Sequence, residues 1–221
     1  MNLNNLFLSV FMFIVLVIPE RTLSQTKHQT EWILSDLILA KTEGVRIAGN
    51  PQIIDCKYGK ALLFNGSTDG IFMDQMPLDG LKQFTVEVIF RPESGGNFEQ
   101  RFFHCGEVNG DRVLLELRAN PTDWYFDAFI TSGDQKKTLI EPKLVHPLDQ
   151  WYHLAFVIAN GKQETYINGI KELESQIEIA PLHGGKTSIG VRLNEQSWFK
   201  GAISKIRISP LALSPQKFLQ L

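Results

Sequence analysis

Residues 84–92 read Phe84-Thr85-Val86-Glu87-Val88-Ile89-Phe90-Arg91-Pro92. Successive side chains of a strand point to opposite faces, so Phe84, Val86, Val88 and Phe90 share one face while Thr85, Glu87 and Ile89 share the other. The first set reads as core. The same alternation recurs at Tyr152–Ile158, where Tyr152, Leu154, Phe156 and Ile158 form a bulky face with His153 and Ala155 opposite. Asn168-Gly169 then separates two further runs, Glu164–Ile167 and Ile170–Leu173. That dipeptide is the strongest hairpin signal in the chain, because a two-residue type I′ turn needs positive φ at both central positions.

Working outward, about a dozen β-like runs of four to eight residues lie between Ala61 and Ser209, with Gly, Pro, Asn and Asp between them, as in a sandwich or barrel rather than in βαβ units. Only Trp32–Ala40, which is ambiguous, and a short turn after Ser214-Pro215 read as helical. Lys41–Lys57 shows no clear pattern.

The 221 residues carry 15 Phe and only two Cys, a balance that favours sheets with aromatic cores. With 22 Lys+Arg against 24 Asp+Glu, the net charge is -2. No basic run is present, which argues against nucleic acid as a partner and suits neutral or weakly charged ones. Leu6–Ile18 is almost wholly apolar but too short to span a bilayer, which takes roughly 20 residues. Followed by Pro19, with Thr22 and Ser24 at the -3 and -1 positions of a cut before Gln25, it reads as a secretory signal of residues 1–24. One domain, residues 25–221, follows without a transmembrane segment. Whether the leader is cleaved or retained as an anchor, the domain is expected outside the cytoplasm: secreted, at the cell surface or in a periplasm. Cys56 and Cys105 are then a candidate disulfide, against the alternative that Cys105 is a small buried hydrophobe.

Four stretches, in order, resemble the laminin G-like or concanavalin A-like jelly-roll family. They are Gly59-Lys60-Ala61-Leu62-Leu63-Phe64-Asn65-Gly66; Phe84–Pro92; Trp151-Tyr152-His153-Leu154-Ala155 with Thr165-Tyr166-Ile167-Asn168-Gly169; and Ile189-Gly190 with Phe199–Ile208 and Leu213-Ser214-Pro215. The resemblance spans residues 59–217 and implies an all-β, two-sheet antiparallel β-sandwich. In many members the closing strand carries an acidic pair that helps to hold Ca²⁺. Ser204 and Lys205 stand there in this chain, and a lysine opposes a cation that wants six to eight oxygens. Asn65, Asp69 and Asp74 remain as candidate calcium ligands, or as turn residues placed for backbone geometry. No other cofactor is implied.

The fold hosts lectin-like modules, glycoside hydrolases and polysaccharide lyases alike. The E-x-D-x-x-E strand of retaining hydrolases is absent. Tyr125-Phe126-Asp127-Ala128 resembles the Y-F-K-A strand of jelly-roll alginate lyases, but with Asp for Lys. Glu172, Glu174 and Glu178 read as a solvated face. If Phe103 and Cys105 point inward, then His104 points out, and Glu87, Glu116, Arg118 and Asp127 leave the core on their own strands. On a shared concave sheet they would form a polar row for a sugar chain, with Phe98, Trp124 and Trp198 as loop-borne aromatic platforms; the alternative is that the charged residues are merely solvated and the tryptophans pack on loops. His153 reads as structural. The leading expectation is a non-catalytic module recognising a polysaccharide or other glycan, or a surface protein at the same face. The rival is a carbohydrate-active enzyme, hydrolase or lyase, using a pair among Glu87, His104, Glu116 and Asp127. Two carboxyls about 5–9.5 Å apart across an open groove would favour hydrolysis.

Overall fold

The computed structural model describes residues 28–221, so the leader expected at 1–24 lies outside the described residues. The strands are β1 (Thr30–Ile33), β2 (Val45–Ala48), β3 (Gln52–Cys56), β4 (Gly59–Asn65), β5 (Gly70–Met73), β6 (Phe84–Pro92), β7 (Glu99–Gly106), β8 (Arg112–Ala119), β9 (Asp123–Ser132), β10 (Gln135–Ile140), β11 (His146–Pro147), β12 (Tyr152–Ala159), β13 (Lys162–Ile167), β14 (Ile170–Gln176), β15 (Lys186–Ile189) and β16 (Lys200–Ser209). A single short helix, α1 (Leu34–Leu39), and one 3-10 turn (Pro215–Lys217) complete the described elements. The ambiguous stretch at Trp32 divides between β1 and α1, and the unpatterned one at Lys41 supplies β2 and β3.

Two antiparallel sheets result. One, the back sheet, runs β14-β13-β12-β6-β16-β4-β3, with β1 alongside β16. The other, the groove sheet, runs β10-β9-β8-β7-β15-β5-β2, with β11 alongside β9. Each sheet joins hairpin neighbours, such as β12-β13-β14 and β7-β8-β9-β10, to neighbours distant in sequence, such as β6-β16, β16-β4 and β7-β15, as in a jelly roll. Phe84, Val86, Val88 and Phe90 are all fully buried between the sheets, as the alternation requires. Phe90 stacks on Phe102 of the opposite sheet at 4.9 Å between centroids and meets Trp124 edge-on at 5.3 Å. Such offset and edge-to-face contacts add to the burial of the rings, and they account for the surplus of phenylalanine.

The Asn168-Gly169 turn has φ of 51° and 78°, as a type I′ hairpin demands. Asn160-Gly161, between β12 and β13, makes a second turn of the same kind, with φ of 51° and 70°. The other face of β6 is buried too. The C-terminal segment crosses it, with Leu213 and Phe218 packed on Ala155, Val157 and Tyr166. Glu87 lies beneath this cover, accepting from His153 Nε2 at 3.0 Å, Arg207 Nε at 2.6 Å and the Leu219 amide at 2.7 Å.

Both cysteines are free, so the candidate bridge is not formed and Cys105 is the small buried hydrophobe of the alternative. Cys56 ends β3 of the back sheet, whereas Cys105 is buried on β7 of the groove sheet, where its sulfur accepts from Thr187 Oγ1 at 3.6 Å. Glu172 also departs from expectation: it is half-buried beside His146, with Nε2 to Oε1 at 2.7 Å.

Candidate functional site

The outward face of the groove sheet is built by three neighbouring strands. Along β8, Val113, Leu115 and Leu117 enter the core, which turns Arg112, Leu114, Glu116 and Arg118 outward. Glu116 pairs in register with Asp127 on β9 and with Arg101 on β7, and Arg118 pairs with Glu99 and Tyr125. Arg101, Arg112, Glu116, Arg118, Asp127 and Arg192 thereby meet around a groove of about 250 Å³.

Its centre is a braided ion-pair network. Arg118 reaches Asp127 at 2.5 Å, Glu116 at 3.3 Å and Glu99 at 3.4 Å. Arg101 pairs with Glu99, lies 3.1 Å from Glu116 and donates to Ser197 Oγ at 2.5 Å. Burial raises the Glu116 and Asp127 carboxyls above the ordinary range, against the opposing pull of Arg101 and Arg118. Glu99 goes the other way: burial alone would raise it, but the Arg101 hydrogen bond and the two guanidinium charges together hold it low.

The network is only half satisfied. Asp127 Oδ1 and the Nε atoms of Arg112 and Arg192 are buried without a hydrogen-bond partner, whereas Arg101 Nε faces Glu116 Oε1 at 3.1 Å. An unpaired buried polar atom costs about 1–3 kcal/mol, so the floor keeps unspent hydrogen-bonding capacity that a polar ligand meets once these side chains shift toward it. Beside them Phe98 is 55% exposed, its ring 6.5 Å from that of Tyr125, and Ile140, 40% exposed, stands opposite Asp127. An apolar rim thus borders the charged floor.

Of the expected site residues, Glu116, Arg118 and Asp127 come together here, and Phe98 stands at the edge. Glu87 does not join them, because β6 belongs to the back sheet. His104 is on the groove sheet but wholly buried, covered by the loop between β15 and β16. Its Nε2 lies 3.1 Å from the Glu107 carbonyl, and its Nδ1 accepts from the Leu193 amide at 3.4 Å. Both ring nitrogens are therefore spoken for, and burial pushes its pKa down to about 4. Trp124 is no platform; it is fully buried among Phe90, Tyr152 and His146. Trp198 is half-buried and packs with Val191 over Gly70.

The three candidate calcium ligands are each engaged within the protein. Asp69 spends Oδ1 on the Asn50 amide at 2.9 Å and Oδ2 on the Asn65 amide at 3.0 Å. Asn65 caps its own turn through the Ser67 and Thr68 amides, both at 2.9 Å, and Asp74 pairs with Lys186 at 2.6 Å. Asp69 and Asn65 thus spend side-chain oxygens on turn amides, and Asp74 spends one on a lysine. Among the described residues no group of three or more His, Cys, Asp or Glu is placed to hold a metal ion.

Arg101, Arg112, Lys136 and Arg192 were not among the expected site residues. Arg112 has the same parity as Glu116 and Arg118, so alternation along β8 was signal enough. Arg101 was hidden by a bulge between Arg101 and Phe103, which buries both Phe102 and Phe103 and reverses the parity upstream. Arg192 sits on a loop, where no periodicity speaks.

Comparison with curated protein sequences finds no match. Among solved structures, domain 4 of AbnA, a GH43 extracellular arabinanase from Geobacillus stearothermophilus in complex with arabinotriose, is 26% identical; the match covers 78% of this chain and 85% of that one, with a TM-score of 0.61. A SAP-like pentraxin from Limulus polyphemus is 19% identical over 71% of this chain and 78% of its own, with a TM-score of 0.57. The botulinum neurotoxin serotype D binding domain is 17% identical with a TM-score of 0.59, covering 78% of this chain, which spans 44% of that one. The sequence model of the concanavalin A-like lectin/glucanase superfamily matches residues 65–217, from the Asn65 turn through both sheets to the C-terminal 3-10 turn, and the chain belongs to that superfamily.

Proposed function

We propose that this protein is a glycan-binding module whose site is the groove over β7, β8 and β9. The observation that carries the reading is the half-satisfied network at the groove floor, where one carboxylate oxygen and two guanidinium Nε–H groups are buried without partners. A sugar hydroxyl both donates and accepts, so a pair of neighbouring hydroxyls can satisfy Asp127 Oδ1 and an arginine N–H together. The exposed Phe98 offers a flat apolar surface to the C–H face of a sugar ring. The arabinanase domain complexed with arabinotriose supports the reading, being similar over most of both chains.

Binding accounts for the site better than hydrolysis does. A glycosidase needs one carboxyl free to give a proton and a second free to attack or to activate water. Here Asp127 and Glu116 are both clamped by Arg118, and Glu87 lies on the opposite sheet beneath the C-terminal segment. With the apolar leader at Leu6–Ile18, the module acts outside the cytoplasm. Affinity electrophoresis of the full chain through a panel of plant and microbial polysaccharides tests this. Retardation by at least one polymer, lost in Asp127→Ala, is expected; unretarded migration throughout would overturn it, and release of reducing ends would replace binding by catalysis.

A further inference from the structure

The groove is not electrically uniform along its length. Toward Phe98, Arg118 is matched by Glu99, Glu116 and Asp127. At the other end stand Arg112, Arg192 and Lys136, and none of the three makes an ion pair among the described residues. Arg112 gives Nη1 to the Gly110 carbonyl at 2.8 Å and rests over the Phe129 ring at 4.9 Å. Arg192 gives Nη2 to the Val108 carbonyl at 3.1 Å. Each thus keeps its Nε–H buried and unpaired, and Glu116, the carboxylate whose charge Arg112 feels, forms no ion pair with it. Lys136 approaches the same Phe129 ring at 5.6 Å.

Like charges held together in a partly desolvated groove repel one another, and burial followed by the charge of Arg192 pulls the Arg112 pKa down. Backbone carbonyls hold these guanidinium groups in place but do not neutralise them. Held forks with spare N–H donors fit a planar or tetrahedral oxyanion, which accepts two parallel hydrogen bonds. The overall charge of -2 averages this feature away: the acids lie at one end of the groove and the unmatched bases at the other.

We infer that the Arg112–Arg192 end of the groove binds the anionic group, carboxylate or sulfate ester, of an acidic glycan, while the Arg118–Asp127 end holds neighbouring hydroxyls. The inference rests on the glycan-binding reading and names its ligand class. Polymer recognition then takes one acidic sugar at the cationic end, and the chain continues past Asp127 toward Phe98.

The test is calorimetric titration of the full chain at fixed ionic strength with three probes of matched length: an oligogalacturonate, its methyl-esterified neutral counterpart and a sulfated galactan oligosaccharide. At least one anionic probe is expected to bind roughly 10- to 100-fold more tightly than the neutral one, the range for one charge-assisted hydrogen-bonded contact. The preferred probe names the group, carboxylate or sulfate. Arg112→Gln and Arg192→Gln should each abolish that preference, so that each variant binds the anionic and neutral probes alike; Arg192→Lys, which keeps charge but loses the fork, should retain part of it. Equal affinity for all three probes, or a preference surviving in the double Gln variant, would overturn the inference and leave glycan binding standing. Absence of heat with every probe, together with unretarded migration through the polysaccharide panel, would remove the underlying reading as well.

Discussion

Replacing Glu87 by Gln should be among the most damaging single-atom changes available to this fold. The carboxylate is fully buried, and four N–H groups converge on its two oxygens: His153 Nε2 and the Leu219 amide on Oε1, and Arg207 Nε and Nη2 on Oε2. An amide of the same shape offers one oxygen, so whichever way it turns its NH₂ faces two donors and the Arg207 charge loses its counter-ion. Breaking a buried ion pair costs about 3–5 kcal/mol. Arg207 keeps a second contact, to the Lys217 carbonyl at 2.7 Å, and its side chain is 14% exposed, so the lower bound of about 3 kcal/mol applies. For a chain of this length that corresponds to a drop of roughly 6–12 °C in melting temperature. Loss of the Leu219 anchor should also loosen Phe218 from His153 and Tyr166, making the C-terminus a faster substrate for carboxypeptidase. Calorimetry of Glu87→Gln, Arg207→Met and the double variant measures this; the double variant should recover part of the loss because no buried charge is left unpaired. A single-variant drop of less than 2 °C, or strictly additive losses, would refute the reasoning.

Two further outcomes follow from buried groups. His104, fully buried with Nδ1 already accepting from Leu193, has a folded pKa of about 4 against an ordinary 6.5. Between those values the unfolded chain binds the extra proton, so stability is full above about pH 6.5, falls by about 3 kcal/mol toward pH 4 and levels below it. Urea denaturation across that range should show the slope and His104→Gln should flatten it; an unchanged slope in the variant would assign the dependence elsewhere. For the cysteines, burial pushes the Cys105 thiol up to about 11, whereas Cys56 is partly accessible. A thiol reagent should label one cysteine in the native protein and two in denaturant without reductant, and a count of zero in denaturant would restore the disulfide.

How much of this was legible follows from what alternation can carry. Period two assigned the faces of β6, β8 and β12 correctly, because bulky apolar side chains alternate there with smaller or polar ones even where both faces are covered. It said nothing about which sheet a strand joins, and so Glu87 was grouped with Glu116 and Asp127 although β6 and β8 lie in opposite sheets. Parity also fails at bulges, as at Phe102 and Phe103, where one extra residue concealed Arg101. Trp124 was misread because its neighbours are turn residues: it sits at the start of β9, close to Asn120-Pro121, yet its ring lies in the aromatic centre. The second type I′ turn, at Asn160-Gly161, was legible from the same dipeptide that marks the first. The cationic end of the groove was not, since it joins residues from β8, β10 and a loop whose proximity only the fold creates.

The central claim is that glycan is bound at the floor of the groove sheet. Its most direct test is the arginine Nε–H region of a ¹H–¹⁵N spectrum of the full chain, recorded as the best-retained polysaccharide's oligosaccharide is added. The account predicts that the Arg101, Arg112 and Arg192 signals shift together and saturably while that of Arg207, on the back sheet, stays fixed. Saturable binding that leaves those three signals in place, or that moves Arg207 instead, would contradict it.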